Sequence, residues 1–350
     1  MPEKQGVTVG SQALIIGGSG QTGAYLAHTL LGKGDSVTVT SRDPAATDWW
    51  RFEALGIQGQ VDTATLDPSD AQSVSDLLDN QTPDSIYYLA GPSSVAQSFD
   101  NPTNVFRDIT QPIIAILEVL KTSGYQGTFF NATSTDCFGN QPDHRLDEST
   151  PMRPVSPYGV AKAATFNTAR NYRDTFGLAA SNGILTNHES PLRGPHFVTQ
   201  KIVSTLKKIK AGEETILHLG NTAIERDWVW AGEVATAIAL IGSGDQPGDY
   251  LVASGQTRSL DDFVALVCEA LGLDKAHTVS SKAALHRPMD IASLRFSPQR
   301  IRDAFGWSAH MGLDNIVGNL IKGDALAGRQ WPAATGPDMT VAPSRRRAPQ

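Results

Sequence analysis

Ala13-Leu14-Ile15-Ile16-Gly17-Gly18-Ser19-Gly20-Gln21-Thr22-Gly23 decides how the rest of the chain is read. Four apolar residues run into a glycine, and glycines then recur at Gly17, Gly20 and Gly23, every third position. The apolar run predicts a buried strand, and the residues from Gln21 to Lys33 predict a helix stopped by Gly34. Glycines between such a strand and helix allow a tight turn and a close approach of backbone to a pyrophosphate. The helix N-terminus then offers N–H donors and a positive dipole end. The spacing is one residue different from the common GxGxxG pattern. A bare strand–helix turn without ligand is the alternative reading.

Outward from this unit the pattern repeats. Ser36–Ser41 reads as a strand, Gln60–Leu66 as a weak one, and a helix follows from about Asp70. Ser85–Gly91 and Gly127–Ser134 read as buried strands. Between them Thr110–Ser123 has helical spacing, with Ile113, Ile114, Leu117 and Leu120 assigned to one face. Strand alternating with helix predicts an α/β fold, a doubly wound parallel sheet covered on both faces. Pro157–Gly177 reads as a long helix, with Ser156 as N-cap and Pro157 at the first helical position. Beyond Pro191 the pattern is mixed, while Gly232–Leu240 and Asp249–Ala253 again read as a helix and strand of the main sheet. Residues 12–190, with a return segment at about 225–255, are therefore expected to form the cofactor-binding domain. Residues 191–224 and 256–330 form a smaller, interleaved C-terminal lobe, and 333–350, rich in Pro and Ala, a disordered tail.

Composition narrows the function classes. The chain has 350 residues, 40% of them apolar, with a formal net charge of −7. Three arginines against one aspartate in 333–350 leave the remainder near −9. That balance disfavours a nucleic-acid partner. No apolar run approaches the roughly 18 residues of a membrane span, and no membrane partner is expected. The first residues lack a basic-then-apolar signal, which predicts a cytoplasmic protein. Two cysteines, Cys137 and Cys268, make neither a disulfide framework nor a zinc site, and no histidine spacing suggests a metal.

The end of the second strand bears on the cofactor. It reads Thr40-Ser41-Arg42-Asp43, with no acid inside the strand end. Arg42 suits a 2′-phosphate, which favours NADP over NAD. Asp43 keeps the alternative open, as a ribose ligand or as a partner of Arg42. Further on, Tyr158 and Lys162 stand four apart on one helix face. A neighbouring ammonium favours tyrosinate and makes tyrosine a usable base. Upstream, Ser134 and Asp136 follow the end of a strand, where a hydroxyl can bind a substrate oxygen. An ordinary helix surface is the alternative for the Tyr–Lys pair, and a loop or cap role is the alternative for Asp136.

Several blocks carry a resemblance. They are Ser156–Lys162 (SPYGVAK), Asn171–Leu178 (NYRDTFGL), Asn182–Pro191 (NGILTNHESP), Arg193–Ile202 (RGPHFVTQKI) and Leu219–Trp228 (LGN…RDW). Together they resemble the GDP-mannose 4,6-dehydratase family of extended short-chain dehydrogenase/reductases, over about residues 12–325. The resemblance implies a Rossmann-type fold with a C-terminal substrate-binding lobe. It also implies a lyase that removes water from a nucleotide sugar, GDP-mannose foremost, through internal hydride transfer by bound NADP. Ser134, Asp136, Tyr158 and Lys162 are the implied catalytic residues. Cofactor contacts are implied at Gly17, Gly18, Ser19, Gly20, Gln21, Thr22, Gly23, Arg42, Thr65, Leu66, Leu89, Ala90, Gly91, Ser93, Tyr158, Lys162, His188 and Arg193. Substrate contacts are implied at Ser93, Ser134, Asn187, Val198, Lys201, Arg226 and Arg287. A homodimer through the Tyr158 helix and its neighbour is implied, with a tetramer as the larger alternative.

The chain departs from that pattern at several points. Asp136 stands where the family has glutamate, one methylene longer, and Ser134 where it has threonine. Leu192 and Gln200 replace family arginines, and Thr65-Leu66 replaces an Asp-Leu pair at the adenine. Asn104 replaces a tyrosine, and Pro92-Ser93-Ser94 replaces Gln-Ser-His. An internal ion pair is the alternative for Arg226. Two other functions stay open on the residues alone. One is an NADP-dependent reductase or epimerase of a nucleotide sugar, and the other a non-catalytic nucleotide-binding protein.

Overall fold

The computed structural model describes residues 10–282, 285 and 289–327. Arg287 and the segment 333–350 lie outside the described residues. Among the described residues, seven strands make one parallel sheet. In chain order they are β1 (Gln12–Ile16), β2 (Ser36–Ser41), β3 (Asp62–Thr65), β4 (Ser85–Tyr88), β5 (Thr128–Ser134), β6 (Ala179–Leu185) and β7 (Asp249–Val252). Their spatial order is β7-β6-β5-β4-β1-β2-β3, every neighbouring pair parallel. The chain thus reverses direction across the sheet between β1 and β4, which opens a crevice at their carboxyl ends.

Alternation along the strands explains the two covered faces. Ile15, Val39, Tyr87, Phe130 and Val252 join one core with Ala24, Leu30, Val234 and Ile238 of the Gln21–Gly32 and Ala231–Ser243 helices. Leu14, Ile16, Ile86, Tyr88 and Phe129 join another with Ile113, Leu117, Ala169 and Tyr172 of the Pro102–Thr122 and Pro157–Phe176 helices. Successive residues of one strand therefore enter opposite cores, as a period of two requires. This is the α/β, doubly wound architecture that the sequence predicts.

Two local expectations need correction. The helix expected over Thr110–Ser123 starts at Pro102, because Pro suits a first helical position and Pro112 is accommodated inside it. Ile114 does not share the buried face and is 48% exposed, while Ile113, Ile116, Leu117 and Leu120 are fully buried. At about 100° per residue, position 114 lies roughly 110° from the centre of the face that 113, 116, 117 and 120 share.

A three-stranded sheet sits above the carboxyl end of β6. Its strands are Asn187–Glu189, Glu225–Trp230 parallel to it, and Thr257–Ser259 antiparallel on the far side. With the Val198–Ala211 helix it walls the crevice opposite the glycine turn.

Candidate active site

The crevice encloses about 770 Å³. On its cofactor side the glycine turn is shaped by three different demands. Gly17 has φ +88°, and a Cβ there would lie 2.6 Å from the Ala90 backbone. Gly23 packs on the Gly18 backbone, where a Cβ would sit 2.5 Å from an oxygen. Gly20 has neither constraint. Its φ is −74°, and the nearest atom to an added Cβ is 3.9 Å away. Its bareness therefore serves the crevice, at the N-terminus of the Gln21–Gly32 helix. A phosphate fits there on N–H donors and helix dipole. A dinucleotide is the group that these residues suit.

Gly17, Ser19, Gly20, Gln21, Thr22, Gly23, Arg42, Leu66, Leu89, Ala90, Gly91 and Ser93 all line the crevice. Gly18 stands behind it, packed on Val39. Thr65 lies on the edge strand β3, exposed and outside the lining. The chain enters the crevice beyond it, at Leu66, Asp67 and Ser69. Sequence reading missed Asp67, whose carboxyl Ser69 holds below its ordinary range with two hydrogen bonds. Asp43 is not at the crevice. Its carboxylate accepts the Ala45 and Ala46 N–H groups at 3.1 Å each, in a turn of its own.

Ser134, Asp136, Tyr158 and Lys162 converge at one corner. Ser134 ends β5 in extended conformation and caps the short turn Thr135–Phe138. Its hydroxyl donates to Asp136 Oδ2 at 3.0 Å and accepts the Asp136 N–H at 3.2 Å. Tyr158 and Lys162 come from the opening turns of the Pro157–Phe176 helix. Ser156 caps it by accepting the Gly159 N–H at 3.0 Å, and Pro157 stands at its start. Gly159 is the residue that sequence reading missed here. A Cβ on it would lie 2.8 Å from the Asp136 carbonyl oxygen, so glycine lets the helix press against the Asp136 peptide. The signal is present in the sequence, as the glycine directly after Tyr158.

The electrostatics differ from the expectation in one respect. Burial raises the Tyr158 phenol well above its ordinary value, Asp136 adds to this, and a Ser134 hydrogen bond and Arg193 oppose it. Lys162 directs its Nζ to the Ala132 carbonyl, at 2.9 Å. Burial lowers its ammonium to about 8. Lys162 is thus still protonated at neutral pH, but the corner does not by itself favour tyrosinate.

The opposite wall is knitted together. His188 is held from both sides, by the Thr186 carbonyl at Nδ1 and the Thr22 hydroxyl at Nε2, each at 2.8 Å. Burial and the Arg193 charge lower it to about 4, so it is neutral. Gln21 donates to the His188 carbonyl and accepts from Ser190. Arg193 pairs with buried Glu189, donates to the His188 carbonyl at 2.8 Å and lies over the Phe197 ring. Arg51, a lining residue that the sequence does not single out, bridges the Ser19 and Leu192 carbonyls. Gln200, in a family arginine position, donates to the Ser190 carbonyl.

Among the expected substrate contacts, Ser93, Ser134, Asn187, Val198 and Arg226 line the crevice. Lys201 is exposed and outside the lining. Arg226 also makes the internal pair: it meets Asp290 at 2.9 Å and the Ile291 carbonyl at 2.7 Å. Among the described residues, no His, Cys, Asp and Glu cluster has the makings of a metal site, and no helix is long and apolar enough to cross a membrane.

Residues 14–320 match the model of a family described as GDP-mannose 4,6 dehydratase. The GDP-mannose 4,6 dehydratase 2 of Arabidopsis thaliana is 34% identical, over 89% of this chain and 86% of its own length. The UDP-glucose 4-epimerase of Thermus thermophilus, solved with NAD, superposes with a TM-score of 0.77 at 24% identity, over 90% of this chain and 99% of that one. The RMD protein of Pseudomonas aeruginosa, solved with NADPH, gives 0.75 at 20% identity, over 90% and 99%. The chain belongs to the GDP-mannose 4,6-dehydratase family.

Proposed function

We propose that this member of the family removes water from GDP-mannose, giving GDP-4-keto-6-deoxymannose, with NADP as its cofactor. The observation that carries this reading is the Asp136 carboxylate, hydrogen-bonded to Ser134 in the corner where Tyr158 and Lys162 meet. Eliminating water across C5 and C6 needs a base at that place. Epimerisation or simple reduction at C4 does not.

Tyr158 Oη takes the proton of the hexose 4-hydroxyl, and the Ser134 hydroxyl hydrogen-bonds the same oxygen. Lys162, held by the Ala132 carbonyl, supplies a donor for a cofactor ribose. A bound NADP would supply the hydride acceptor for C4 and the hydride donor for C6, Tyr158 returning its proton to C5 in that last step, so turnover has no net redox change. The ketone at C4 acidifies the C5 proton. Asp136 removes that proton and delivers one to the departing 6-hydroxyl: the C5–H and C6–O bonds break, a C5–C6 double bond forms, and water leaves.

Two observations support NADP in particular. Arg42 lines the crevice just after β2, with Asp67 nearby, and Asp43, the acid directly after Arg42, is folded away into its own turn. Asn187, Val198 and Arg226 are the substrate contacts on the far wall. A cytoplasmic homodimer belongs to the same reading. Phe106, Ile114, Val160 and Phe176, exposed on the Pro102–Thr122 and Pro157–Phe176 helices, support pairing of those helices with a second copy.

The experiment is incubation of the purified protein with GDP-mannose and no added reductant, read by mass. Loss of one water is expected. Unchanged GDP-mannose beside turnover of a UDP- or CDP-hexose overturns the guanosine assignment. Net consumption of NADPH, or a product that keeps its 6-hydroxyl, identifies a reductase or epimerase instead.

A further inference from the structure

Three polar residues stand in register across adjacent strands of the sheet. Asn131 of β5 is opposite Asn182 of β6, which is opposite Asp249 of β7. Asn131 and Asn182 are fully buried. Asn131 Nδ2 donates to Asn182 Oδ1 at 2.8 Å, and Asn182 Nδ2 donates to Asp249 Oδ1 at 2.9 Å. Arg173 closes the row with two bonds to the Asp249 carboxylate, at 2.9 and 3.1 Å. That outer end opens on a second cavity, of about 940 Å³, well away from the catalytic corner.

The row also grips the Pro157–Phe176 helix. Asn131 Nδ2 reaches the Thr165 carbonyl at 3.3 Å, and Asn182 Nδ2 reaches the Phe166 carbonyl at 3.1 Å. Arg173, near the end of that helix, donates back to the Ala180 carbonyl of β6 at 3.1 Å. Thr165 in turn donates to the Lys162 carbonyl, one turn earlier. Apolar packing between helix and sheet is non-directional, whereas these bonds have fixed directions. The catalytic set is split between the two bodies: Ser134 and Asp136 follow β5, Tyr158 and Lys162 ride on the helix.

We propose that Asn131, Asn182, Asp249 and Arg173 are positioning residues, a ladder that fixes the height of Tyr158 and Lys162 against Ser134 and Asp136. A stability role explains the row less well. Asn131 Oδ1 is buried with no hydrogen-bond partner, a costly state that an apolar residue would avoid. Exchanging buried polar groups for apolar ones of similar shape is often neutral or stabilising, so what such a row contributes is register.

The proposal rests on the dehydratase reading for its kinetic readout, so a second readout is independent of substrate. In the holoenzyme, Asn131→Val is expected to lower kcat for GDP-mannose about 10–100-fold, the scale of a misplacement near 1 Å. KM is expected to stay within about twofold, because uniform binding is untouched, and the unfolding temperature to fall by a few degrees, because Asn182 Oδ1 loses its donor. Amide exchange at Ala169 and Arg170, whose N–H groups meet the gripped carbonyls, is expected to quicken. At the edge strand, Asp249→Asn keeps an acceptor for Asn182 and is expected within about threefold of wild-type kcat, with Asp249→Val about tenfold lower. Equal kcat for those two variants overturns the ladder, as does Asn131→Val with wild-type kcat per folded molecule and wild-type exchange. A wild-type protein that leaves GDP-mannose untouched breaks the dehydratase reading, and amide exchange then judges the ladder alone.

Discussion

The two walls of the crevice are built on opposite plans. In the corner proposed for catalysis the side chains are aimed by local structure, an end of strand, a cap and a proline at a helix start, and then seated by contacts across it, a glycine on the Asp136 peptide and Lys162 on the Ala132 carbonyl. Its proton-handling groups bond chiefly to one another and to backbone. On the anion-binding wall the cations are already engaged, Arg193 with Glu189, Arg226 with Asp290 and Arg51 with two carbonyls. The corner holds its groups together, although burial and Asp136 keep its phenol protonated. The wall must share its donors between protein and ligand, which moderates affinity for polyanions in a chain of net charge −7.

The strongest challenge to that contrast is Asp136→Asn. It keeps the corner's shape and removes its base, so water loss is expected to fall about 10²–10⁴-fold, the worth of a positioned acid–base group. Product mass checks this, with oxidation at C4 persisting as reduced-cofactor absorbance. Full dehydration by the variant would move elimination elsewhere. Gly159→Ala asks whether closeness itself matters. Its methyl meets the Asp136 carbonyl at 2.8 Å, and a drop in kcat of about a hundredfold, with little change in KM, is the expected outcome in steady-state kinetics.

Elsewhere in the crevice the effects are smaller. Arg42→Ala is expected to reduce the preference for NADP over NAD about tenfold or more, the worth of a hydrogen bond to a charged group, measured by titration of both cofactors. Asp290→Asn tests sharing directly. Releasing Arg226 from its part-buried ion pair is expected to lower the KM for GDP-mannose about two- to fivefold, with kcat unchanged, as removal of a competitor for a binding cation should. A raised KM would show that Asp290 orients Arg226 more than it competes.

The remaining effect is on stability. His188 titrates at about 4 in the fold and near its ordinary 6.5 unfolded. Between those values the unfolded chain holds the extra proton, so stability declines as pH falls through that window and is unaffected above it. Thermal melts across pH 4–7 check this, and His188→Gln flattens the slope.

The same division governs what the sequence reveals. Strand–helix alternation, the Ser156 cap and the Tyr158–Lys162 spacing are local patterns, and the structure repeats them. The Arg226–Asp290 pair, the anchoring of Arg51 and the ladder from Asn131 to Arg173 join residues from distant strands and loops, and no local periodicity encodes them. Ile114 falls on the outer face, against expectation, because a helix with several adjacent apolar residues does not declare its inward side. Thr65 is expected at the crevice from a family position, yet β3 delivers the chain there slightly later, at Leu66 and Asp67. Gly159 is visible in the sequence, but its value lies in what it touches.

The position of β7 has a consequence for synthesis. It is the last strand of the seven to emerge and the one that covers β6. While the ribosome is still making residues 186–248, β6 is a bare sheet edge with Asn182 in its row and no carboxylate to meet it. Bare edges invite pairing with other chains. A polar residue in that edge makes an apolar intruder a poor substitute, so the nascent sheet favours waiting for its own last strand.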